Sequence, residues 1–140
     1  MQTAVNEPAA MVLRLEIFPP DLDATVDFYV GVLGFELVRD ERRTDYPYVA
    51  LARGATRIGA ARRSQVVDSG LRRPPVGVEI VLEVDDLEIE RNRVESAGWP
   101  VLEDLTTRPW GLTDFRLLDP SGYYIRITTS AATAPADQTS

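Results

Sequence analysis

Any chemistry in this chain must come from carboxylates, guanidiniums and aromatic rings. The sequence has no His and no Cys, and its 15 basic residues are all Arg. Ser-His-Asp and Cys-His catalysis, thiolate or imidazole metal sites, disulfides, lysine Schiff bases and P-loop phosphate binding are therefore excluded. A general acid or base is restricted to Asp, Glu or Tyr, and a metal to oxygen ligands. The charged candidates are Arg14, Glu16, Glu79, Glu83 and Arg126, all on segments that alternate charged with apolar residues. The aromatic candidates are Tyr48, Tyr124 and Trp110. Trp110 stands between Pro109 and Gly111 in a turn-rich stretch, where a core anchor is less expected than elsewhere. Rings of this kind stack on flat molecules, and carboxylates attract cationic groups. Each residue also has a plainer reading. Glu16, Glu83 and Arg57 suit a solvated surface, Trp110 a core, and Asp85, Asp86 and Asp119 turns and helix caps.

The elements that must position these residues repeat within the chain. Leu13-Arg14-Leu15-Glu16-Ile17-Phe18 followed by Asp21-Leu22-Asp23 matches Val78-Glu79-Ile80-Val81-Leu82-Glu83 followed by Asp86-Leu87-Glu88, 65 positions later. Leu33-Gly34-Phe35 lies over Ala97-Gly98-Trp99 at an offset of 64, so the second helix is one residue shorter. Leu13, Leu15 and Ile17 share one strand face, and Arg14, Glu16 and Phe18 the other. Val26, Phe28, Tyr29 and Val32 recur at helical spacing, with Asp21 or Asp23 as N-cap. Ile89, Val94 and Ala97 do the same in the second half. Gly34 and Gly98 sit where a helix end needs positive φ. Further strands are predicted at Phe35–Asp40, Tyr46–Ala52, Thr56–Arg62, Val101–Leu105, Thr113–Leu118 and Tyr123–Thr128. By parity Tyr48 shares a face with Ala50, and Tyr124 with Arg126. Trp99 and Phe35 read as core, and Asp119-Pro120-Ser121-Gly122 as a turn.

The expected architecture is α+β: two βαβββ modules forming a curved, mostly antiparallel eight-stranded cup, with the helices on its outer face. The modules span residues 11–63 and 77–129, with a linker at 64–76 and tails at 1–10 and 130–140. A chain of 140 residues with 44% hydrophobic and 26% charged residues is globular. Its formal charge of −7 argues against nucleic acid as a partner. It has no apolar run long enough for a membrane span and no secretory signal, so the expected location is cytoplasmic.

Asp21-Leu22-Asp23, Phe28-Tyr29 and Leu33-Gly34-Phe35 resemble the opening signature of the vicinal oxygen chelate superfamily, which holds the glyoxalase, bleomycin-resistance and extradiol-dioxygenase folds. Val84-Asp85-Asp86-Leu87 resembles its second-repeat entry. Arg108-Pro109-Trp110-Gly111, Phe115 and Asp119-Pro120-Ser121-Gly122 are similar to the ending of the bleomycin-resistance branch. The resemblance covers Leu13 to Thr128 and implies paired βαβββ modules, often in a homodimer.

In the superfamily's metal enzymes the first and last strands of each module supply the ligands, usually His, Glu or Gln. The resemblance puts those positions at Arg14, Glu79, Arg126 and near Ile58 or Gly59. Only Glu79 is able to ligate a cation, and two guanidiniums would repel one. No metal or other cofactor is therefore expected. Arg14, Glu79 and Arg126 are expected as neighbours, either as a structural ion-pair network or as part of a binding site. The resemblance implies a protein that binds a flat aromatic molecule, plausibly an antibiotic, through Trp110, Arg14, Glu16, Tyr48, Glu79, Glu83, Tyr124 and Arg126. The alternative is a metal-free enzyme of this fold, with Glu79 or Glu16 as base and an Arg stabilising an enolate or oxyanion. A carboxylate beside two Arg is a weak base near neutrality, which counts against it. A third possibility is an interaction module whose cup is filled by side chains.

Overall fold

The computed structural model describes residues 8–63 and 75–130. Most of the expected tails and of the linker lie outside the described residues. Each half runs strand, helix, and three strands. The first contains β1 (Arg14–Ile17), α1 (Leu22–Gly31), β2 (Glu36–Asp40), β3 (Tyr48–Arg53) and β4 (Thr56–Ala61). The second contains β5 (Ile80–Val84), α2 (Leu87–Ser96), β6 (Glu103–Thr107), β7 (Thr113–Leu118) and β8 (Tyr124–Thr129).

Both helices start as the sequence requires. Asp21 accepts a hydrogen bond from the Ala24 amide at 3.0 Å, and Asp86 accepts one from the Ile89 amide at 3.2 Å. Each cap contributes about 1 kcal/mol by satisfying an otherwise unpaired amide. Past the helix ends, Gly34 and Gly98 take φ of 75° and 73°, the region that favours glycine. The expected strands are present, although Tyr46 lies outside β3, before its first residue, and is exposed.

The eight strands form two four-stranded mixed sheets, ordered β1-β4-β3-β2 and β5-β8-β7-β6. In each, the first strand pairs parallel with the last, and the other ladders are antiparallel. A parallel neighbour needs a long crossover, which the helix and intervening hairpin provide. The fold is α+β, with no closed barrel among the described residues.

Parity decides which face is buried. Ile17, Val49, Leu51, Ile58, Phe115, Leu117, Ile125 and Ile127 join the helix residues Leu22, Val26, Phe28, Tyr29, Leu87 and Val94 in one core shared by both halves. Phe28 of α1 meets Trp99 of the second half with ring centroids 4.8 Å apart, and the Trp99 indole N–H donates to the Leu118 carbonyl at 2.8 Å. Trp99 and Phe35 are thus core residues, as expected. The opposite face of each sheet carries the charged and phenolic residues.

Candidate functional site

On the first sheet, three of the predicted residues form one cluster. The Tyr48 hydroxyl donates to Glu16 Oε2 at 2.9 Å, and the Arg14 Nε lies 2.9 Å from the same oxygen. Glu16 is in register with Gly59, and Gly59 with Ala50. The Glu16–Tyr48 bond therefore crosses above a residue that has no side chain. A Cβ at Gly59 would stand 2.2 Å from both Glu16 Oε2 and the Tyr48 hydroxyl. Burial, followed by the hydrogen bond and charge of Glu16, raises the pKa of the Tyr48 hydroxyl.

Gly59→Ala should separate Glu16 from Tyr48. The added methyl meets only the ends of two side chains that are able to move aside, so the expected stability loss is about 1 kcal/mol. The Tyr48 titration should move down towards that of free tyrosine, followed through its ring ¹³C signal. An unchanged titration would show that the pair survives the methyl.

On the second sheet, β8 places Tyr124 and Arg126 on one face, with Ile125 and Ile127 in the core behind them. Arg126 Nη2 donates to Glu79 Oε1 at 2.9 Å. Arg116 of β7 is directly in register with Arg126 and donates to the Tyr124 hydroxyl at 3.2 Å. Sequence reading did not single out Arg116, nor its partner Asp114. Asp114 is fully buried at 0% exposure and accepts hydrogen bonds from Arg108 and Arg116. Burial pushes its carboxyl pKa up, but those two guanidiniums outweigh burial and hold it below the ordinary range. The signal was available: Arg108, Asp114 and Arg116 lie close in sequence around a hairpin, and β7 parity puts Asp114 and Arg116 on one face.

The expected meeting of Arg14, Glu79 and Arg126 is only half realised. Arg126 holds Glu79, whereas Arg14 pairs with Glu16 on the other sheet. The two strand ends that carry Arg14 and Glu79 belong to different sheets, and each guanidinium takes the nearest carboxylate on its own. Among the described residues, no hydrogen bond or ion pair joins the Arg14–Glu16–Tyr48 cluster to Glu79, Glu83, Tyr124 or Arg126. Glu79 and Glu83 instead line a groove of about 590 Å³ between the two sheets, together with Arg57, Val81 and the exposed Leu13. Trp110 sits in the β6–β7 turn, closed by the Gly111 amide bonding the Arg108 carbonyl at 2.9 Å, and is 57% exposed. It is therefore not a core ring.

The superfamily's metal does not fit these residues. Arg14 and Arg126 occupy two of the implied ligand positions, Ile58 and Gly59 offer no donor side chain, and Glu79 is engaged by Arg126. Among the described residues, no group of three or more acidic side chains converges as a cation site would require. No described helix is long and apolar enough to cross a membrane.

The fold recurs in solved proteins. The structure matches TioX from Micromonospora sp. ML1 with a TM-score of 0.69 at 21% identity, covering 86% of this chain and 98% of that one. It matches the bleomycin resistance determinant encoded on transposon Tn5 with a TM-score of 0.69 at 22% identity, covering 87% and 99%. It also matches TnmS3, an antibiotic binding protein from Streptomyces sp. CB03234, with a TM-score of 0.66 at 21% identity, covering 90% and 100%. No curated protein matches the sequence significantly. At these identities the likeness establishes the fold alone. The sequence itself matches the family model across residues 11–127, so the chain belongs to the Glyoxalase/Bleomycin resistance protein/Dioxygenase superfamily.

Proposed function

We propose that this protein binds a flat aromatic small molecule, an antibiotic by class, and confers resistance by holding it rather than by transforming it. The observation that carries this reading is the donor set at the family's metal positions. Guanidiniums stand at two of them, and the one carboxylate is already paired with Arg126. Such a site does not assemble a Lewis-acid centre, yet the sheet faces around it still carry Tyr48, which is half-buried, and Tyr124, which is 9% exposed, beside the charges. Trp110 and the tyrosines supply stacking surface; Glu16 and Glu79 are held by Arg14 and Arg126, and Glu83, which makes no ion pair among the described residues, attracts a cationic group on the ligand. Membership of a superfamily that includes bleomycin resistance proteins supports the same reading.

A homodimer in the cytoplasm is part of this proposal. β1 and β5 are edge strands of their sheets, and Met11, Val12, Leu13, Val76 and Val78 beside them are exposed. Unpaired edges with adjoining apolar residues suit a second copy of the same chain. Pairing of the edges would set the Glu16–Tyr48 face of one copy beside the Arg126 face of its partner.

The test is a titration with daunorubicin, which is both flat and cationic, alongside a panel of quinone-type drugs. The exposed Trp110 should be quenched with a stoichiometry near one drug per pocket, and Trp110→Phe should abolish the signal while Trp99 emission remains. Sedimentation should give a particle of twice 15.5 kDa. Unchanged emission across the whole panel would overturn the binding function.

A further inference from the structure

We propose that the Arg126 face of the second sheet is a recognition site for an anionic oxygen, a carboxylate or phenolate, carried by the aromatic ligand. This rests on the binding function above and assigns its ligand a chemical class. The position is one where the superfamily's metal enzymes supply a ligand, and here it carries a donor of the opposite charge.

Arg126 spends one nitrogen on Glu79. Its Nε is shielded from solvent and has no hydrogen-bond partner, the one such buried side-chain atom among the described residues. An unmade bond at a buried donor costs more than a made one returns, so such donors are rarely left open without a reason. The side chain as a whole is 21% exposed, and a swing that uncovers Nε would present Nε and Nη2 edge-on to a ligand. That edge matches the two oxygens of a carboxylate.

A second donor stands beside it. The Tyr124 hydroxyl accepts from Arg116 at 3.2 Å, and its own proton has no acceptor among the described residues. Accepting from a cation makes that hydroxyl a stronger donor in turn. Arg116 and Arg126 are also directly opposite one another in the β7–β8 ladder. Like charges in that position disfavour the pairing, and an anion laid between them would relieve it. Asp114 neutralises Arg116, and Glu79 answers only one edge of Arg126. The chain's formal charge of −7 opposes anions at long range, so the preference must come from these short contacts and should persist at physiological salt.

The experiment titrates the full-length protein with 9-anthracenecarboxylate and with its neutral counterpart 9-anthracenemethanol, reading the anisotropy of the anthracene. The carboxylate should bind about tenfold tighter than the alcohol. Arg126→Lys keeps a cation for Glu79 but removes the Nε–H, and should erase most of that preference by weakening the carboxylate far more than the alcohol. Tyr124→Phe should weaken carboxylate binding several-fold, and it serves alone if Arg126→Lys does not melt like the wild type. The Arg126 Nε–H resonance should shift on saturation with the carboxylate and stay in place with the alcohol. Equal affinity for the two probes, or a preference that survives both variants, overturns the anion site and leaves the binding function standing. Failure of both probes to bind counts against both.

Discussion

Replacing Asp119 with Ala should destabilise the protein by about 3–5 kcal/mol, a large part of the stability of a domain this size. Asp119 is 3% exposed and ties the β7–β8 turn to the first half. It accepts hydrogen bonds at 2.9 Å from the Ser121 amide, the Tyr123 amide and the Tyr29 hydroxyl. The Ala variant strands the hydroxyl of Tyr29, which is 0% exposed, along with the two turn amides. Tyr29→Phe removes only one of the three bonds and should cost about 1 kcal/mol. The pair also predicts a pH dependence. Burial, then the charge and hydrogen bond of Asp119, raise the Tyr29 pKa well above the ordinary value of 10.0. The unfolded chain loses that proton as pH passes about 10, while the folded chain keeps it. More protons bound to the folded state means that stability falls as pH rises, by up to about 1.4 kcal/mol per unit from this group. Below about pH 10 its contribution is fully present and does not vary with pH. Urea unfolding between pH 8 and 11 should show the alkaline loss in the wild type and a shallower one in Tyr29→Phe. Identical slopes in the two would sink the assignment.

The importance of Asp119 illustrates what the sequence could convey. Asp-Pro-Ser-Gly marks a turn, and Asp119 does cap it, but nothing local says that its second oxygen reaches Tyr29, 90 positions away. Alternation specified the face of every strand that carries a candidate: Tyr48 with Ala50, Tyr124 with Arg126, Ile125 and Ile127 behind. The repeat likewise placed the caps Asp21 and Asp86 and the glycines past each helix, although both helices have 10 residues and the one-residue difference falls after them rather than within the second. Parity is silent on which sheet lies beside which. Arg14 and Glu79 are equivalent in the repeat, yet one sits on each sheet, and each makes its ion pair within its own sheet. Irregularities were also hidden. The register shifts between Leu37 and Arg39, and between Glu103 and Thr106, and a bulge moves side chains to the other face without any signature in residue type. Gly59 reads as a weak strand residue; only the register shows that Glu16 and Tyr48 meet above it.

A second tie between the halves should prove asymmetric when it is cut. Arg53, at the end of β3, donates to the Leu33 carbonyl at 2.9 Å and holds both oxygens of Glu90 on α2. Glu90 is only 6% exposed as a residue, whereas the Arg53 side chain is 35% exposed. Removing Arg53 leaves a buried carboxylate whose remaining cation, Arg93, is 3.6 Å away. Removing Glu90 leaves a guanidinium that water can reach. Arg53→Met should therefore cost about 2–3 kcal/mol, below the full value for a buried pair because solvent screens one partner, and Glu90→Leu about 1 kcal/mol. The double variant should recover much of the Arg53→Met loss, since two apolar side chains replace a pair whose desolvation offsets its attraction. Denaturant midpoints for the four proteins give the coupling directly. A larger loss for Glu90→Leu than for Arg53→Met would mean that the helix, rather than the buried charge, governs this contact. The same reasoning separates this pair from Arg126 and Glu79. Arg53 gives Nη1 to both Glu90 and the Leu33 carbonyl and Nη2 to Glu90, and water can reach its half-exposed side chain. Arg126 differs in that its unmet Nε is shielded from water, so only a protein or ligand acceptor can satisfy it.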